Sequence, residues 1–266
     1  MNLLNIKCAT GLILGDFEQL RNLYRLPIST VHYIHSRAAG AGIIARMVHS
    51  LPFKAILWDM DGVLVDSFNA HFRAWSRIFA ELAHPFTLAD FRRTFGMNNR
   101  SILKTLLGVD LPEEEFRAVS DRKEVYFRES VRGNSRLLPG AADWLARFNA
   151  LDLPQAVASS APRENIDVHL DELSIRRFFA AVASGADLPG KPDPAVFLLA
   201  ARQLGVEPAD CLVIEDAVPG VAAAKSGGMR CVAVLTTNPP EALRRADLIV
   251  PDLTHLTLDQ LAHLDV

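Results

Sequence analysis

The sequence predicts an α/β protein whose core is a doubly wound parallel sheet, with an α-helical domain inserted after the first strand. Two observations predict the sheet: six short apolar segments have the composition of buried strands, and helical segments separate most of them. The third observation concerns the insert, because residues 68–137 have helical periodicity and no strand-like alternation. Right-handed crossovers between parallel strands then wind the chain over both faces of the sheet.

The predicted elements can be placed in order along the chain. The predicted strands cover residues 53–58, 155–158, 180–183, 211–214, 230–234 and 248–250. The predicted helices cover residues 69–82, 88–93, 101–107 and 112–131 in the insert, and residues 141–149, 164–173, 194–204 and 218–226 in the remainder. In the first helix, Phe72, Trp75 and Phe79 recur at the spacing that places side chains on one helical face.

This order predicts three parts. Residues 51–67 and 138–266 form the core domain, and residues 68–137 form a helical cap that ends before the Pro139-Gly140 turn signal. Residues 1–50 form an N-terminal extension with more basic than acidic side chains and no secretory signal pattern. We hypothesise that Met47 is the native start and that residues 1–46 are a loose or wrongly assigned extension; a transit peptide is the alternative. The N-terminal mass of the native protein decides between them.

Composition narrows the classes of function. The 266 residues are 50% hydrophobic with a net charge of -3, which predicts a well-filled core and no nucleic-acid partner. Cys8, Cys211 and Cys231 are sparse and lack metal-ligand spacing, which is typical of a reducing compartment and predicts a cytoplasmic protein. No uncharged apolar run reaches the roughly 18 residues of a membrane span, so we expect no membrane partner. The oligomeric state stays open, and a monomer is compatible with the sequence.

Two acidic residues follow the first predicted strand. Asp59 and Asp61 are two residues apart, so in an extended segment their side chains point the same way from the strand's carboxyl end. Open α/β sheets bind ligands at that edge. Two carboxylates held so close repel each other unless a cation or a shared proton relieves them. The pair therefore indicates a Mg²⁺ site and phosphate chemistry, and a solvated Asp-x-Asp-Gly turn is the alternative.

Polar side chains follow three later strands. Ser159 and Ser160 precede a helix, where a hydroxyl and free backbone N–H groups suit a phosphate; a simple helix cap is the alternative. Lys191 stands before the next helix and can neutralise a phosphate oxygen, unless it is a solvated loop lysine. Glu215 and Asp216 end the fourth strand and can complete an oxygen site for a hard cation with Asp59, or Asp216 can cap a helix.

A glycine-rich segment supports a different hypothesis. Residues 40–45 match the G-x-G-x-x-A pattern of dinucleotide-binding turns, with residues 30–35 as a possible strand before it. Asp59 would then contact the ribose. The preceding segment contains His32 and His35 and is poorly apolar, so a single match of this kind is weak support.

Four motifs in this order resemble those of the haloacid dehalogenase-like superfamily of phosphotransferases. The segment Asp59-Met60-Asp61-Gly62-Val63 is similar to the first motif, Ser159 to the second, Lys191 in Gly-Lys-Pro-Asp to the third, and Glu215-Asp216 to the fourth. The resemblance covers residues 53 to about 261, and the helical insert looks like the small cap of that family.

The resemblance implies a mechanism. Asp59 is expected to be the nucleophile that forms an aspartyl-phosphate, and Asp61 to be the general acid and base, neutral at the first step. Mg²⁺ is expected on Asp59, Asp216 and the backbone carbonyl of Asp61, with Glu215 orienting Asp216 or ligating through water.

The resemblance also assigns the phosphate contacts. Ser159, Ser160 and Lys191 are expected to bind the transferring oxygens, which carry the charge in the transition state.

The segment from Asp59 to Trp75, which ends in His71-Phe72-Arg73-Ala74-Trp75, is most similar to the β-phosphoglucomutase members of the superfamily. By this resemblance His71 lies at the hinge, and Lys123 aligns with a cap lysine that contacts the distal phosphate. Asn99 stands where those mutases have an arginine, and Arg100 is one residue away, about 100° around a helix. Without that arginine, water is the expected acceptor.

The expected function is therefore Mg²⁺-dependent hydrolysis of a small phosphorylated metabolite, such as a sugar or polyol phosphate. A phosphosugar mutase is the first alternative. A phospho-acceptor signalling module is the alternative from another class, since receiver-type modules also place an aspartate, a second acidic site, a hydroxyl and a lysine around Mg²⁺. Such modules lack a helical insert of this size and an acid two residues after the nucleophile.

Overall fold

The computed structural model describes residues 51–264. Its centre is a six-stranded sheet in which all neighbouring strands are parallel, in the order β3-β2-β1-β4-β5-β6. The strands are β1 (Ala55–Trp58), β2 (Gln155–Ser159), β3 (Ala181–Ser184), β4 (Cys211–Glu215), β5 (Arg230–Val234) and β6 (Leu248–Val250). The predicted fold class is confirmed, and the six predicted strands differ from these by no more than two residues at either end.

Helices occupy the predicted intervals of the chain. They are α1 (Phe68–Glu81), α2 (Leu88–Thr94), α3 (Asn99–Leu107), α4 (Glu113–Val131), α5 (Ala141–Ala150), α6 (Arg163–Glu172), α7 (Ala195–Leu204), α8 (Val218–Ser226) and α9 (Leu258–Ala262). The sequence analysis did not predict α9, because five residues are too short for a periodic pattern. Its start carries a capping box between Thr257 and Gln260, which is a usable local signal.

The sheet order places a topological switch point at β1. This strand is central: Leu57 pairs with Ala156 of β2 on one side and with Val213 of β4 on the other. The chain extends the sheet in opposite directions from β1, so the connections diverge there and open a crevice at the carboxyl ends of β1, β2 and β4. The residues of the four motifs lie at or after the carboxyl ends of β1, β2, β3 and β4.

Burial on both faces explains the apolar strands. All four residues of β1 and all five of β4 are buried. The indole of Trp58 donates to Gln155 Oε1 at 2.9 Å, and Gln155 Nε2 donates to the carbonyl of Leu145 at 3.0 Å, so this buried polar pair is satisfied. Cys211 and Cys231 are buried core residues with free thiols.

Helices α1 to α4 pack around a second apolar cluster. Trp75, Phe79, Phe91 and Ile102 are buried in it, which explains the helical spacing of the aromatic residues in the sequence. The assignment of residues 68–137 as a separate cap domain stays a prediction, as do the boundaries of the core.

The structure does not describe the N-terminal extension. The proposed start at Met47, the glycine-rich segment and Cys8 all lie outside the described residues. Within residues 51–264, no helix is both long enough and apolar enough to cross a membrane.

Candidate active site

The carboxyl end of β1 carries the first two candidate residues. Asp59 is 4% exposed, and its backbone N–H donates to the Ile214 carbonyl of β4 at 3.0 Å. Gly62 follows with a φ of +89°, in the left-handed region that glycine adopts at no steric cost. A Cβ at Gly62 would lie 2.1 Å from Asp216 Oδ2. Glycine is therefore required here both for the turn and for the close approach of the Asp216 carboxylate.

Lys191 joins the acidic residues of the first and fourth motifs. Its Nζ donates to Asp59 Oδ1 at 2.5 Å and to Glu215 Oε1 at 2.7 Å, and its side chain is fully buried. Asp59 lies 132 positions before Lys191 in the sequence and Glu215 lies 24 positions after it, yet both contact the same ammonium group. The alternative of a solvated loop lysine is excluded by this burial.

Glu215 is held rigidly by protein donors. Its Oε2 accepts the backbone N–H groups of Asp216 at 2.7 Å and Ala217 at 2.8 Å, while its Oε1 accepts Lys191. A Cβ at Gly220 would lie 1.6 Å from Glu215 Oε1, so α8 approaches this carboxylate closely only because residue 220 is glycine. With both oxygens occupied, Glu215 is placed to orient Lys191 and the Asp216 loop.

Asp216 is buried and only partly satisfied. Its Oδ2 accepts from the hydroxyl of Thr237 at 2.5 Å, and its backbone carbonyl accepts from Asn238 Nδ2 at 3.1 Å. Its Oδ1 is buried without a hydrogen-bond partner among the described residues. The sequence analysis missed Thr237 and Asn238. They lie shortly after β5, so the rule that polar residues follow strand ends, applied to one more strand, could have found them.

The acidic cluster fits a hard cation. Asp59, Glu215 and Asp216 each offer one carboxylate oxygen within 4.8 Å of the others, and all three side chains are buried. The buried, unpaired Oδ1 of Asp216 is the atom that most needs a partner, because a buried polar group left unpaired is costly. Oxygen donors of this kind suit Mg²⁺ or Ca²⁺.

The charges of the cluster shift its acid–base equilibria. Burial, opposed by Lys191 and reinforced by Glu215 and Asp61, raises the pKa of Asp59 to about 8. Burial, with Glu215 and Asp59 as further causes, also raises the pKa of Asp216. Asp59 and Asp216 therefore resist ionisation until more positive charge is bound beside them.

The pKa of Asp61 is shifted in the opposite direction. Burial would raise its pKa, but His71 and Ser67 outweigh burial, and the pKa of Asp61 lies well below its usual value. His71 Nε2 lies 3.2 Å from Asp61 Oδ1, and the Ser67 hydroxyl donates to the same oxygen at 2.5 Å. In this structure Asp61 is therefore the more acidic of the two carboxyls, and its neutral form at the first step of the reaction stays a prediction.

His71 links Asp61 to the insert. Its ring stacks on Phe127 with centroids 3.9 Å apart, and its Nδ1 lies 3.1 Å from Lys123 Nζ. A protonated Lys123 can only donate, so Nδ1 accepts and Nε2 carries the proton that faces Asp61. Burial and the nearby Lys123, opposed by Asp61, lower the pKa of His71, which agrees with a neutral ring.

The two serines after β2 have different surroundings. Ser159 is buried, and its hydroxyl oxygen accepts from the backbone N–H of Ala161 at 3.1 Å, which leaves the hydroxyl proton available to a ligand. The Ser160 hydroxyl donates to the Gly96 carbonyl at 2.9 Å. Both residues line the same cavity, but in this structure the hydroxyl of Ser160 ties β2 to the insert. Neither hydroxyl caps α6, whose N-cap residue is Pro162.

The candidate cap residues separate into two groups. His71, Asn99 and Lys123 line the cavity beside Asp59 and Asp61. Arg100 does not: its guanidinium pairs with Glu113 at 2.5 Å and lies 3.9 Å from the ring centroid of Phe116. One helical step turns the side chain away from the cavity, so the assignment of Arg100 to the substrate site is corrected.

The cavity lies between the carboxyl ends of the strands and the helical insert. It encloses about 450 Å³ of atom-free space, including its open mouth. Its wall is formed by Asp59, Asp61, His71, Trp75, Phe91, Phe95, Gly96, Met97, Asn99, Ile102, Lys123, Glu124, Ser159, Ser160 and Ala161.

Comparisons with known proteins agree with this geometry. The chain is 34% identical over 217 residues to the β-phosphoglucomutase of Bacillus subtilis, covering 78% of this chain and 93% of that protein. It is 30% identical to the validoxylamine A 7'-phosphate phosphatase of Streptomyces hygroscopicus subsp. limoneus, covering 77% of this chain and 96% of that one. It is also 34% identical to the chloroplast protein SUPPRESSOR OF QUENCHING 1 of Arabidopsis thaliana, but 78% of this chain spans only 20% of that relative's length.

A solved structure and a family model give the same result. The crystal structure of β-phosphoglucomutase from Clostridium difficile superposes with a TM-score of 0.71 at 25% identity, covering 78% of this chain and 94% of that one. The family model of haloacid dehalogenase-like hydrolases matches residues 53–228, which contain all four predicted motifs. The chain therefore belongs to the haloacid dehalogenase-like hydrolase family.

Proposed function

We propose that this protein is a Mg²⁺-dependent phosphatase that hydrolyses a small phosphomonoester, a sugar or polyol phosphate, through an aspartyl-phosphate on Asp59. Its relatives are phosphatases and a phosphoglucomutase, so the chain is an enzyme of the phosphohydrolase and phosphotransferase class. The observation that carries the finer proposal is the buried Asp59 carboxylate, which faces the cavity beside Lys191 and the Glu215–Asp216 pair.

The first half of the reaction forms the phosphoenzyme. An oxygen of Asp59 attacks phosphorus while the bond from phosphorus to the leaving oxygen breaks, and Asp61 gives that oxygen a proton. Lys191 and the hydroxyl of Ser159 bind phosphoryl oxygens and stabilise the charge that they carry. Asp59 and Asp216 would hold Mg²⁺, which neutralises the repulsion between the carboxylate nucleophile and the phosphate.

The second half releases phosphate. Asp61, now ionised, takes a proton from water, and the water oxygen attacks phosphorus and frees Asp59. The pKa of Asp61 lies below its usual value in this structure, so the carboxylate is ionised as this step requires. For the first half, Asp61 takes up a proton when the phosphate anion binds beside it, since a second negative charge raises a carboxyl pKa. His71 and Ser67 orient Asp61 in both halves.

Two features of the insert favour water over a sugar as the acceptor. Asn99 presents a neutral amide at the cavity wall, and Arg100 points away from it. An amide cannot replace the planar, charged fork with which arginine binds phosphate. The mutase remains the second candidate, because β-phosphoglucomutases are among the similar proteins and Lys123 does line the cavity. The chain belongs to an enzyme family, and this gives no support to the alternative of a phospho-acceptor signalling module.

A phosphate-release screen tests the proposal. The protein is incubated with Mg²⁺ and a panel of phosphomonoesters, including β-glucose 1-phosphate with a trace of the 1,6-bisphosphate. We expect phosphate release from several sugar or polyol monoesters. Isomerisation of β-glucose 1-phosphate with little phosphate release would establish the mutase, and no turnover of any monoester would contradict both candidates.

The proposed metal site predicts a pH dependence. Because the metal-free pKa of Asp59 is about 8, this carboxyl is mostly protonated at pH 7, and ligation must displace the proton. We expect Mg²⁺ binding to release one or more protons at pH 7, from Asp59 and from Asp216, whose pKa is also raised, and fewer above pH 9. Calorimetric titration in two buffers of different ionisation enthalpy measures this number. An observed enthalpy that is the same in both buffers at pH 7 would contradict the proposed ligand.

The cytoplasmic location and the monomeric state stay predictions. Gel filtration of the protein and fractionation of its source cells address them directly.

A further inference from the structure

Glu124 is a buried carboxylate in the cavity wall that the proposed mechanism does not use. It lies on α4 and is 4% exposed. A charged side chain at such a position is costly unless it is paired and hydrogen-bonded. The residues that contact this carboxylate therefore indicate its role in the cavity.

Both oxygens of Glu124 are bound by groups of the protein. Its Oε1 accepts from Lys123 Nζ at 3.0 Å and from Asn99 Nδ2 at 2.6 Å. Its Oε2 accepts from Asn165 Nδ2 at 2.5 Å, and Arg128 Nη1 donates to Asn165 Oδ1 at 2.9 Å. The contact from Arg128 fixes the orientation of the Asn165 amide, so its nitrogen faces Glu124.

The first consequence concerns the charge of Lys123. Among the described residues that line the cavity, Lys123 is the one lysine or arginine. Its ammonium group lies against the Glu124 carboxylate and against the neutral ring of His71. Although burial opposes it, the Lys123 charge keeps the pKa of Glu124 below its usual value, so the pair is ionised and its net charge is zero.

The second consequence concerns Asn99. Its amide nitrogen donates to Ser120 at 2.7 Å and to Glu124 at 2.6 Å, which uses both N–H groups. Only the carbonyl oxygen of the amide is then left to bind a ligand, and such an oxygen can accept a hydrogen bond from a hydroxyl but repels a phosphate. The neighbouring walls are apolar, with Trp75 and Phe95 among them.

We propose that Glu124 is a specificity-determining residue, which cancels the charge of Lys123 and restricts the leaving group to an uncharged, hydroxyl-bearing one. A substrate with a second phosphate is thereby disfavoured. This inference rests on the proposed function, because it assumes that the cavity binds the leaving group of a phosphomonoester. It assigns the substrate class as monophosphates of neutral polyols or sugars.

The test compares two ligands in a background that cannot turn over. Asp59→Asn protein with Mg²⁺ is titrated calorimetrically with glucose 6-phosphate and with glucose 1,6-bisphosphate. We expect the bisphosphate to bind no more tightly than the monophosphate. Adding Glu124→Gln removes the compensating charge, so we expect the affinity for the bisphosphate, relative to the monophosphate, to rise about tenfold or more.

Matched variants control the result. Glu113→Gln makes the same charge change on the same helix, at an exposed residue outside the cavity, and should leave the affinity ratio within about twofold. Glutamine at 124 would place an amide nitrogen against that of Asn165 and could destabilise the fold. The double variant Glu124→Gln/Asn165→Asp restores the donor–acceptor match, but it returns a carboxylate to the neighbourhood, paired with Arg128 and farther from Lys123, so we expect a rise in the same direction that is smaller than that of Glu124→Gln.

The results of these titrations and of the phosphate-release screen distinguish a failure of the role of Glu124 from a failure of the proposed phosphatase activity. An affinity ratio that Glu124→Gln and the double variant leave unchanged would overturn the role of Glu124, whatever the phosphate-release screen shows. Binding of neither ligand would overturn the assignment of this cavity to the substrate. Absence of phosphate release together with the predicted change in ratio would refute the phosphatase and leave the role of Glu124 supported.

Discussion

Asp59→Asn is expected to abolish turnover while the fold is preserved. Loss of a covalent nucleophile lowers kcat by a factor on the order of 10⁴ to 10⁶. Asparagine has nearly the same shape, and its amide oxygen can still accept from Lys191, which donates to Asp59 Oδ1 at 2.5 Å. The change also removes a buried carboxylate that resists ionisation, so the metal-free melting temperature should match or exceed that of the wild type. Phosphate release and thermal unfolding are measured on the same samples.

Asp66→Asn is the matched control for this change. Asp66 belongs to the same loop but is exposed, so its substitution should leave kcat within about twofold. Turnover of the Asp59 variant near that of the wild type would refute the assigned nucleophile.

Lys191→Met should be the most destabilising of these changes. Lys191 contacts Asp59 and Glu215, and its loss leaves two buried carboxylates without their cation. Breaking a buried ion pair in this way costs about 3–5 kcal/mol of the free energy of unfolding. Because the same ammonium group is proposed to bind the phosphoryl oxygens, we also expect kcat/KM to fall by a factor on the order of 10³.

The loss of stability in Lys191→Met should depend on pH. In the wild type, the pKa of Asp59 rises from 3.8 to about 8 on folding, so the folded state binds more protons than the unfolded state in this range, and Asp59 lowers stability as pH increases. Without Lys191 this pKa rises further, so the difference between wild type and variant should grow as the pH rises from 5 to above 8. Urea unfolding without divalent cations, at several pH values, measures it.

Lys225→Met supplies the control for the lysine change. Lys225 pairs with Asp247 at 2.7 Å at a partly exposed position, so its loss should cost about 1 kcal/mol or less. A loss of stability in Lys191→Met that does not change with pH would contradict the proposed electrostatic origin.

The fold could be predicted because its signals are local. Strands such as β1 and β4 are buried on both faces and are therefore continuously apolar, and α1 carries its aromatic residues at helical spacing. Boundaries and short elements such as α9 were less predictable, because a few residues of capping chemistry decide them. The right-handed crossover rule fixes the hand of each connection but not the order of the strands, so the central position of β1 is a finding of the structure.

The part of the site that lies at the strand ends could be predicted from the sequence. Asp59, Lys191 and Asp216 meet because parallel strands bring their carboxyl ends to one edge of the sheet. Side-chain direction could not be predicted: Arg100 lies one helical step out of the cavity, and Glu124 contacts Lys123 in a geometry that depends on how the insert packs.

The protonation of Asp61 is a further example. The spacing of Asp59 and Asp61 correctly indicated a conflict of charges, but His71 and Ser67, which come from α1 and the residue before it, decide which carboxyl keeps its proton. Tertiary contacts of this kind leave no pattern in the sequence.

The most direct test of the central claim is to trap the phosphorylated side chain. The protein is mixed with a monoester found in the release screen, quenched in acid within milliseconds and reduced with borohydride, which converts an acyl phosphate into an alcohol. Peptide mass spectrometry then locates the reduced residue. We predict reduction of Asp59 in the wild type and none in Asp59→Asn, whereas reduction at another residue, or phosphate release without any trapped intermediate, would contradict the account.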